Sequence, residues 1–315
     1  MKQLTLSAPF TIAGKGLHTG AMVTATVEPA AEGHGYKFCR TDIEGKPVID
    51  ALAENVVSTQ RGTVLGRGET TISTIEHLMA ALYASGIDNV LVSVDAPEVP
   101  ILDGSAKPWL DAIAAAGIAE QNADKDFYVV KHKIEIADAE SGSKILILPD
   151  DEFSVEVKVN FNSPVLSNQY ASMEHLDEFG TEIADARTFV FVRELLPLVN
   201  AGYIKGGDLD NAIVIYDSPL TQDDIDKIAD TMGVARRKVD ALGYINSNPL
   251  THDNEPARHK LLDIVGDIAL IGRPLKGKVI ATKPGHAINT RLAKDIRRDI
   301  KRQDIQAPTY DPNAT

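Results

Sequence analysis

Three side chains that can bind metal or move protons fall four residues apart in the second half of the chain. His259, Asp263 and Asp267 lie within residues 256–270, PARHKLLDIVGDIAL, and Lys260 follows the first of them. Because an α-helix has about 3.6 residues per turn, this spacing aligns the three side chains in one stripe. The other faces of such a helix are apolar, which is typical of a buried helix.

This stripe has two interpretations. On most helices a row of charged residues is simply the face exposed to solvent. Buried carboxylates, in contrast, need a charged partner or a metal ion. His259 and Asp263, at positions i and i+4, can bind one cation together, as the two histidines of an HExxH helix do. Because a catalytic zinc ion takes three protein ligands, a third ligand must come from elsewhere in the chain.

His77 is the candidate third ligand. It lies in STIEHLMAALYASG, where the apolar spacing predicts a helix that stops at Gly86. His77 falls on the uncharged face opposite the large apolar side chains, which indicates an interior position. The preceding Glu76 has two open interpretations: a helix-capping box with Ser73, or a general base that takes a proton from water beside a metal ion.

His286 is the candidate acid. The segment ATKPGHAINT places it between a predicted strand and a predicted helix, a common location for catalytic groups. If Asp267 lies nearby, its negative charge favours the protonated imidazolium, which suits an acid better than a metal ligand. The sequence therefore offers three candidate ligands, one base and one acid.

Composition limits the classes of function. The 315 residues are 43% hydrophobic, enough for a large core and two domains. A net charge of -13 argues against nucleic-acid binding, so an anionic ligand needs a local basic group. The single cysteine, Cys39, excludes an intrachain disulfide. No apolar run is long enough to span a bilayer and the start has no signal-peptide core, so we expect a cytoplasmic protein.

The order of predicted elements indicates the architecture. In both halves strands come first and helices later, which predicts an α+β fold of two similar units. We place the first domain at residues 1–122 and the second at 127–305, with a polar linker over 119–126. Helices are predicted over 186–199 and 223–232. Residues 306–315 contain two prolines and no apolar face, which predicts a linker or a disordered tail.

Eight short motifs resemble one enzyme family. They occur in order over residues 14–292: GKGLHTG, STIEHLMAAL, GIDNV, VPILDGSA, ARTF, GYIKGGDLDNAIV, RHKLLDIVGDI and KPGHAINTRL. Together they resemble the UDP-3-O-acyl-N-acetylglucosamine deacetylases, or LpxC family, zinc amidases of lipid A synthesis. Each string is weak alone, but the ordered set is specific.

The resemblance implies roles for the residues singled out above. The implied reaction removes acetate from UDP-3-O-(3-hydroxyacyl)-N-acetylglucosamine, with Glu76 as the general base that activates water at the metal. His286, oriented by Asp267, protonates the leaving amine. One catalytic zinc ion is expected, with iron(II) as the alternative metal, and the implied ligands are His77, His259 and Asp263.

The same resemblance implies how the substrate is bound. Thr188 matches a hydroxyl that helps to stabilise the oxyanion, and Phe189 matches a ring that packs on the sugar. Lys260 matches a lysine that contacts the polar part of the UDP-sugar, which provides the local cation. An insert over about residues 191–214 is expected to form an apolar passage for the acyl chain, lined by Leu195, Leu198, Ile204, Gly207, Leu209, Ala212 and Val214. Without the family, those residues are interpreted as core.

The resemblance also implies a fold in which each domain is a layer of sheet and a layer of helices, with the helices sandwiched between the sheets. Two residues depart from the family pattern: Val190 replaces a glycine, which could narrow the passage, and Gly62 replaces a cysteine near the metal, which could alter metal affinity. The segment 218–256 is longer than expected. Some family members are fused to a 3-hydroxyacyl carrier-protein dehydratase, and the tail resembles the start of such a linker.

Three alternatives from other classes stay open on the sequence alone. The first is a protein that binds a nucleotide-sugar or a lipid and holds a structural metal in a closed site of four ligands. The second is a metal-free scaffold in which the histidines and aspartates form buried hydrogen bonds. The third is a lyase that relies on carboxylates, although the chain has no GxGxxG motif after a strand and no P-loop.

Overall fold

Strands predominate in the first part of the chain. The computed structural model describes residues 1–239 and 241–306. Up to residue 124 it contains helices α1 (Glu76–Ala84) and α2 (Lys107–Ala116) and ten strands: β1 (Lys2–Leu6), β2 (Phe10–Lys15), β3 (Met22–Pro29), β4 (Tyr36–Arg40), β5 (Val48–Asp50), β6 (Val56–Ser58), β7 (Val64–Arg67), β8 (Thr70–Ile72), β9 (Val90–Val94) and β10 (Ile118–Asp124).

The remainder of the described chain adds more helix. Its strands are β11 (Tyr128–Val129), β12 (Ile134–Asp138), β13 (Ser143–Leu148), β14 (Phe153–Asn160), β15 (Asn168–Met173), β16 (Phe189–Phe191), β17 (Ile213–Tyr216), β18 (Gly243–Tyr244) and β19 (Leu275–Thr282). Its helices are α3 (Val192–Asn200), α4 (Gln222–Met232), α5 (Glu255–Ile268) and α6 (His286–Gln306).

The two main sheets have the same topology. The first has the strand order β2-β3-β9-β4-β5, and the second has the order β12-β13-β19-β14-β15, with β11 pairing with β19. In each sheet the third and fourth strands are parallel and the other pairs along this order are antiparallel. In each sheet the central strand lies between two helices along the chain: β9 lies between α1 and α2, and β19 lies between α5 and α6. The prediction of an α+β fold with two similar units is therefore confirmed.

Helices from the two halves pack against each other. Helix α1 contacts α5, and α5 also packs on β14 and β15, so α5 lies between α1 and the second sheet. Gly266 permits the contact between the helices, because a Cβ added there would lie 2.2 Å from the Glu76 carbonyl oxygen. One apolar core joins the sheets and helices of both halves. This packing brings the candidate residues of α1 and α5 together.

A smaller unit is inserted between β15 and α5. It consists of the three-stranded sheet β16-β17-β18 with α3 and α4, and it has an apolar cluster of its own. The helix predicted over 186–199 is wrong at its start, because Phe189–Phe191 pairs in parallel with Ile213–Ile215 and α3 begins at Val192. The longer segment noted in the sequence contains α4 and β18.

The linker predicted over 119–126 is wrong for residues 119–124. Residues 118–124 form β10, which pairs antiparallel with β1 in the register Leu6 to Ile118 and Leu4 to Glu120. Side chains alternate between exposed and half-buried, so the period of two is present, although most of the residues are polar. The domain boundaries at 122 and 127 stay a prediction.

Two further expectations concern the predicted C-terminal tail and membrane-spanning segments. Gln306 is the last residue of α6, and the rest of the predicted tail, 307–315, lies outside the described residues. Within residues 1–239 and 241–306, no helix combines the length and the apolar character needed to cross a bilayer.

Candidate metal centre and active site

Two helices bring three potential metal ligands together. His77 comes from the first turn of α1, while His259 and Asp263 lie one turn apart on α5. One ligand atom from each of the three residues lies within 4.8 Å of the others, and all three side chains are buried. The two imidazole rings are perpendicular, with centroids 5.0 Å apart. The stripe is thus the buried face that meets α1, and the solvent-exposed interpretation is wrong.

Hydrogen bonding leaves the atoms at the centre of this cluster free to bind a cation. The Nδ1 atom of His259 lies 2.9 Å from the Ala186 carbonyl oxygen and donates to it, which directs Nε2 towards Asp263. The His259 Nε2 atom lies 3.5 Å from Asp263 Oδ1. Among the described residues Asp263 Oδ1 has no hydrogen-bond partner although it is buried. A bound cation would satisfy this buried carboxylate oxygen.

The protonation states suit metal binding. Burial, reinforced by the charge of His259, lowers the pKa of His77 to about 3. Burial also lowers the pKa of His259. Burial acts to raise the pKa of Asp263. The positive charge of Lys260 and the nearby histidines outweigh this effect and lower the pKa below its usual value, so the carboxyl stays ionised. Two neutral imidazoles and one carboxylate form a donor set that accepts zinc and also iron(II).

Glu76 faces this cluster and does not cap its helix. The capping-box alternative is wrong, because the Ser73 amide donates to the Pro97 carbonyl oxygen instead, at 3.0 Å. The Glu76 carboxylate accepts a hydrogen bond from the Thr63 amide at 3.2 Å. Burial raises the pKa of Glu76 to about 7; the charge of His286 opposes this rise, and two nearby aspartates add to it. Such a carboxyl is suited to taking up a proton near neutral pH.

Gly62 leaves room for this carboxylate. A Cβ at Gly62 would lie 3.0 Å from Glu76 Oε1, and the backbone φ of +153° is one that other residues rarely adopt. Gly62, which the resemblance implies replaces a cysteine, therefore lies against the candidate base.

His286 approaches the cluster from the first residue of α6. Its Nδ1 atom lies 2.9 Å from Asp267 Oδ2, and its Nε2 atom lies 3.9 Å from both Glu76 Oε1 and Asp263 Oδ2. Burial acts to lower the pKa of His286, but the negative charges of Asp267, Asp263 and Glu76 outweigh it and raise the pKa to about 10. At neutral pH this imidazole is protonated and can donate a proton.

The side chains expected to bind the sugar border the cluster. The Phe189 ring lies 6.4 Å from the His259 ring, and Lys260 Nζ lies 5.3 Å from the Phe189 centroid. Lys260 Nζ also forms an ion pair with Asp263 Oδ2 at 2.8 Å. Thr188 is half-buried, and its backbone is fixed at the start of the insert by hydrogen bonds with Gly104 and Ile213.

The insert contains an apolar cavity of about 70 Å³. Leu195, Leu209 and Val214 line it, and Leu198 and Ile204 belong to the same apolar cluster. Ala212 is buried and Gly207 packs near Met232, but neither borders the cavity in the described part of the chain.

Sequence reasoning missed the side of this cavity that α4 provides: Ile225, Ile228, Ala229 and Met232. Their spacing of three and four residues is that of one helix face, so the sequence did indicate that they lie on the same side of α4. It also missed Thr63, a loop residue whose hydroxyl donates to Asp267 at 2.6 Å. Sequence separation hides this contact, because the two residues are 204 positions apart.

Comparisons with known proteins identify relatives of this chain. The model of the family LpxC, UDP-3-O-acyl N-acetylglycosamine deacetylase, matches residues 3–243 and 238–298. The bifunctional enzyme LpxC/FabZ of Porphyromonas gingivalis is 58% identical over 312 residues, which are 99% of this chain and 68% of that protein. The protein of the same name from Bacteroides thetaiotaomicron is 55% identical over 313 residues, with the same shares.

A relative described by a single activity matches over nearly its whole length. The UDP-3-O-acyl-N-acetylglucosamine deacetylase of Myxococcus xanthus is 39% identical over 298 residues, which are 94% of this chain and 87% of that protein. Identity and coverage at this level identify the family. The chain therefore belongs to the LpxC family of deacetylases, which are hydrolases of lipid A biosynthesis.

Proposed function

We propose that this deacetylase is zinc-dependent and hydrolyses the N-acetyl group of UDP-3-O-(3-hydroxyacyl)-N-acetylglucosamine. The observation that carries the proposal is the arrangement of one base and one acid around three potential ligands. His286 Nε2 lies 3.9 Å from Glu76 Oε1 and the same distance from Asp263 Oδ2, so acid, base and ligand face one small volume. An amide placed there meets both proton-transfer groups.

His77, His259 and Asp263 would hold the metal ion. A bound zinc ion supplies Lewis acidity, which polarises the amide carbonyl and lowers the pKa of a water molecule. Within residues 1–239 and 241–306 the cluster has three ligand side chains and not four, which favours a catalytic site over a closed structural one. Iron(II) is the alternative, since it accepts the same donor set.

Two side chains divide the proton transfers. Glu76 takes the proton from the attacking water, and His286 donates a proton to the nitrogen of the leaving amine. Asp267 keeps the His286 ring oriented through the hydrogen bond to Nδ1. The pKa directions agree with these roles, because Glu76 accepts a proton near neutral pH while His286 holds one.

The substrate is held by groups next to the ligands. Thr188 helps to stabilise the oxyanion, Phe189 packs on the sugar, and Lys260 binds the anionic part of the UDP-sugar. Lys260 must leave its ion pair with Asp263 at least in part to do so. The acyl chain enters the apolar cavity of the insert, which Leu195, Leu209 and Val214 line and to which α4 gives a further side. Gly207 and Ala212 do not border this cavity in the described part of the chain.

The names of two relatives support the prediction of a fused dehydratase. Two relatives that match 99% of this chain are named LpxC/FabZ. We therefore infer that this deacetylase unit works joined to a dehydratase unit.

Product analysis tests the proposed reaction. Purified, metal-loaded protein is incubated with UDP-3-O-(3-hydroxyacyl)-N-acetylglucosamine, and acetate and the free amine are both quantified. We expect the two products in equal amounts. Folded, metal-loaded protein that releases neither product contradicts the proposal.

A further inference from the structure

We propose that Thr63 is a positioning residue for this reaction. Its hydroxyl fixes the Asp267 carboxylate so that His286 presents Nε2 to the leaving nitrogen. This inference rests on the proposed function, in which His286 is the acid and Glu76 is the base.

Thr63 contacts both proton-transfer groups. It is fully buried in the loop between β6 and β7, at 0% exposure. Its Oγ1 atom donates to Asp267 Oδ1 at 2.6 Å and lies 3.3 Å from His286 Nδ1. Its backbone amide donates to Glu76 Oε2 at 3.2 Å. One residue therefore links the base to the carboxylate that orients the acid.

The Thr63 hydroxyl donates to the Asp267 carboxylate oxygen that receives no hydrogen bond from His286 or Asn289. Asp267 is 1% exposed. His286 Nδ1 and Asn289 Nδ2 both lie 2.9 Å from Oδ2, whereas in the described part of the chain Thr63 gives the hydrogen bond to Oδ1. Bonds to both oxygens prevent the carboxylate from rotating about its Cβ–Cγ bond. The fixed carboxylate in turn fixes the plane of the imidazole ring.

Removing the hydroxyl leaves a buried carboxylate oxygen without a donor. The Asp267 carboxylate then turns towards other donors, and the His286 ring turns with it. Among the described residues, the hydrogen-bonding partners of the Thr63 hydroxyl are Asp267 and His286 and include no ligand or substrate-binding group, so binding of metal and substrate is expected to persist. The expected defect is in turnover.

Two substitutions separate the hydroxyl from the methyl group. Thr63→Val keeps the shape of the side chain but removes the hydroxyl, whereas Thr63→Ser keeps the hydroxyl. We expect Thr63→Val to lower kcat by about tenfold to hundredfold, a loss typical of groups that orient a reactive residue, with KM and metal content unchanged. Thr63→Ser should restore most of kcat. A serine variant as slow as the valine variant shows that the methyl group matters, which overturns the proposal.

A double-mutant cycle tests whether Thr63 acts through Asp267. In an Asp267→Asn background, Thr63→Val should cost little further kcat, because the interaction it removes is already broken. Losses that multiply independently overturn the proposal. If the valine variant does not fold, Thr63→Ala takes its place in the same cycle.

A readout independent of turnover separates this inference from the proposed function. In protein with ¹⁵N-labelled histidine, the Nδ1 proton of His286 is identified by its loss in His286→Gln. We expect this proton to be visible in the wild type and broadened by exchange with water in Thr63→Val. An unchanged signal overturns the role of Thr63. A wild type that releases no acetate contradicts the proposed function, and the NMR comparison still decides the role of Thr63.

Discussion

The contact between α1 and α5 at Gly266 is predicted to set the geometry of the metal centre. In Gly266→Ala the new Cβ would lie 2.2 Å from the Glu76 carbonyl oxygen and 3.0 Å from the carbonyl carbon. Ordinary contacts of this kind exceed about 3 Å, so the helices must separate by about 1 Å, since neither backbone atom can rotate away. His77 moves with α1, while His259 and Asp263 move with α5.

The expected cost follows from this displacement. Overpacking a core by one methyl group destabilises a protein by about 1–3 kcal/mol, which we expect to see as a Tm lowered by several degrees. Metal–ligand distances tolerate only about 0.2 Å, so a shift of about 1 Å weakens zinc binding as well as folding. Calorimetry of unfolding and titration of metal-free protein with zinc measure the two effects.

A glycine in open space provides the control. A Cβ at Gly285 meets no atom within 4 Å apart from its own chain neighbours, so Gly285→Ala adds the same methyl group without a clash. We expect this variant to keep the Tm and zinc affinity of the wild type. If Gly266→Ala did so too, the reasoning from the interhelical contact would be refuted.

Three further predictions concern the ligands, the proton-transfer groups and the cavity. Glu76→Gln and His286→Gln should each retain zinc but lose about 10²–10⁴-fold in kcat, because each removes one proton transfer; metal loss in either variant would contradict its role. His259→Ala should lose the metal, and full zinc occupancy by elemental analysis would disprove its assignment. Ala229→Leu adds bulk to the cavity and should shift the preference towards shorter acyl chains, measured as kcat/KM over a series of chain lengths. Lys227→Ala, on the exposed face of the same helix, should leave the preference unchanged.

Local patterns predicted the placement of those candidate residues that lie on one helix. The spacing of His259, Asp263 and Asp267 depends on helical periodicity alone, and α5 places all three on its buried face. His77 was selected as the candidate third ligand because it lies on an uncharged face of its helix, which indicates an interior position; the side chain is buried. These features need no knowledge of distant contacts.

Contacts between distant segments were not predictable in the same way. The strand over 118–124 exists because β1 pairs with it, more than 110 residues away, while its own composition is typical of a loop. The strand at Phe189–Phe191 likewise depends on β17. The Ser73 motif met the local rule for a helix cap, but tertiary contacts with Pro97 took its place.

Metal dependence of turnover tests the central claim most directly. Metal-free protein is titrated with zinc while acetate release from UDP-3-O-(3-hydroxyacyl)-N-acetylglucosamine is followed. We predict that activity is absent without metal, rises in proportion to added zinc and reaches a plateau at one equivalent per chain. Turnover that persists in demonstrably metal-free protein would contradict the assignment of His77, His259 and Asp263 as the ligands of a catalytic metal ion.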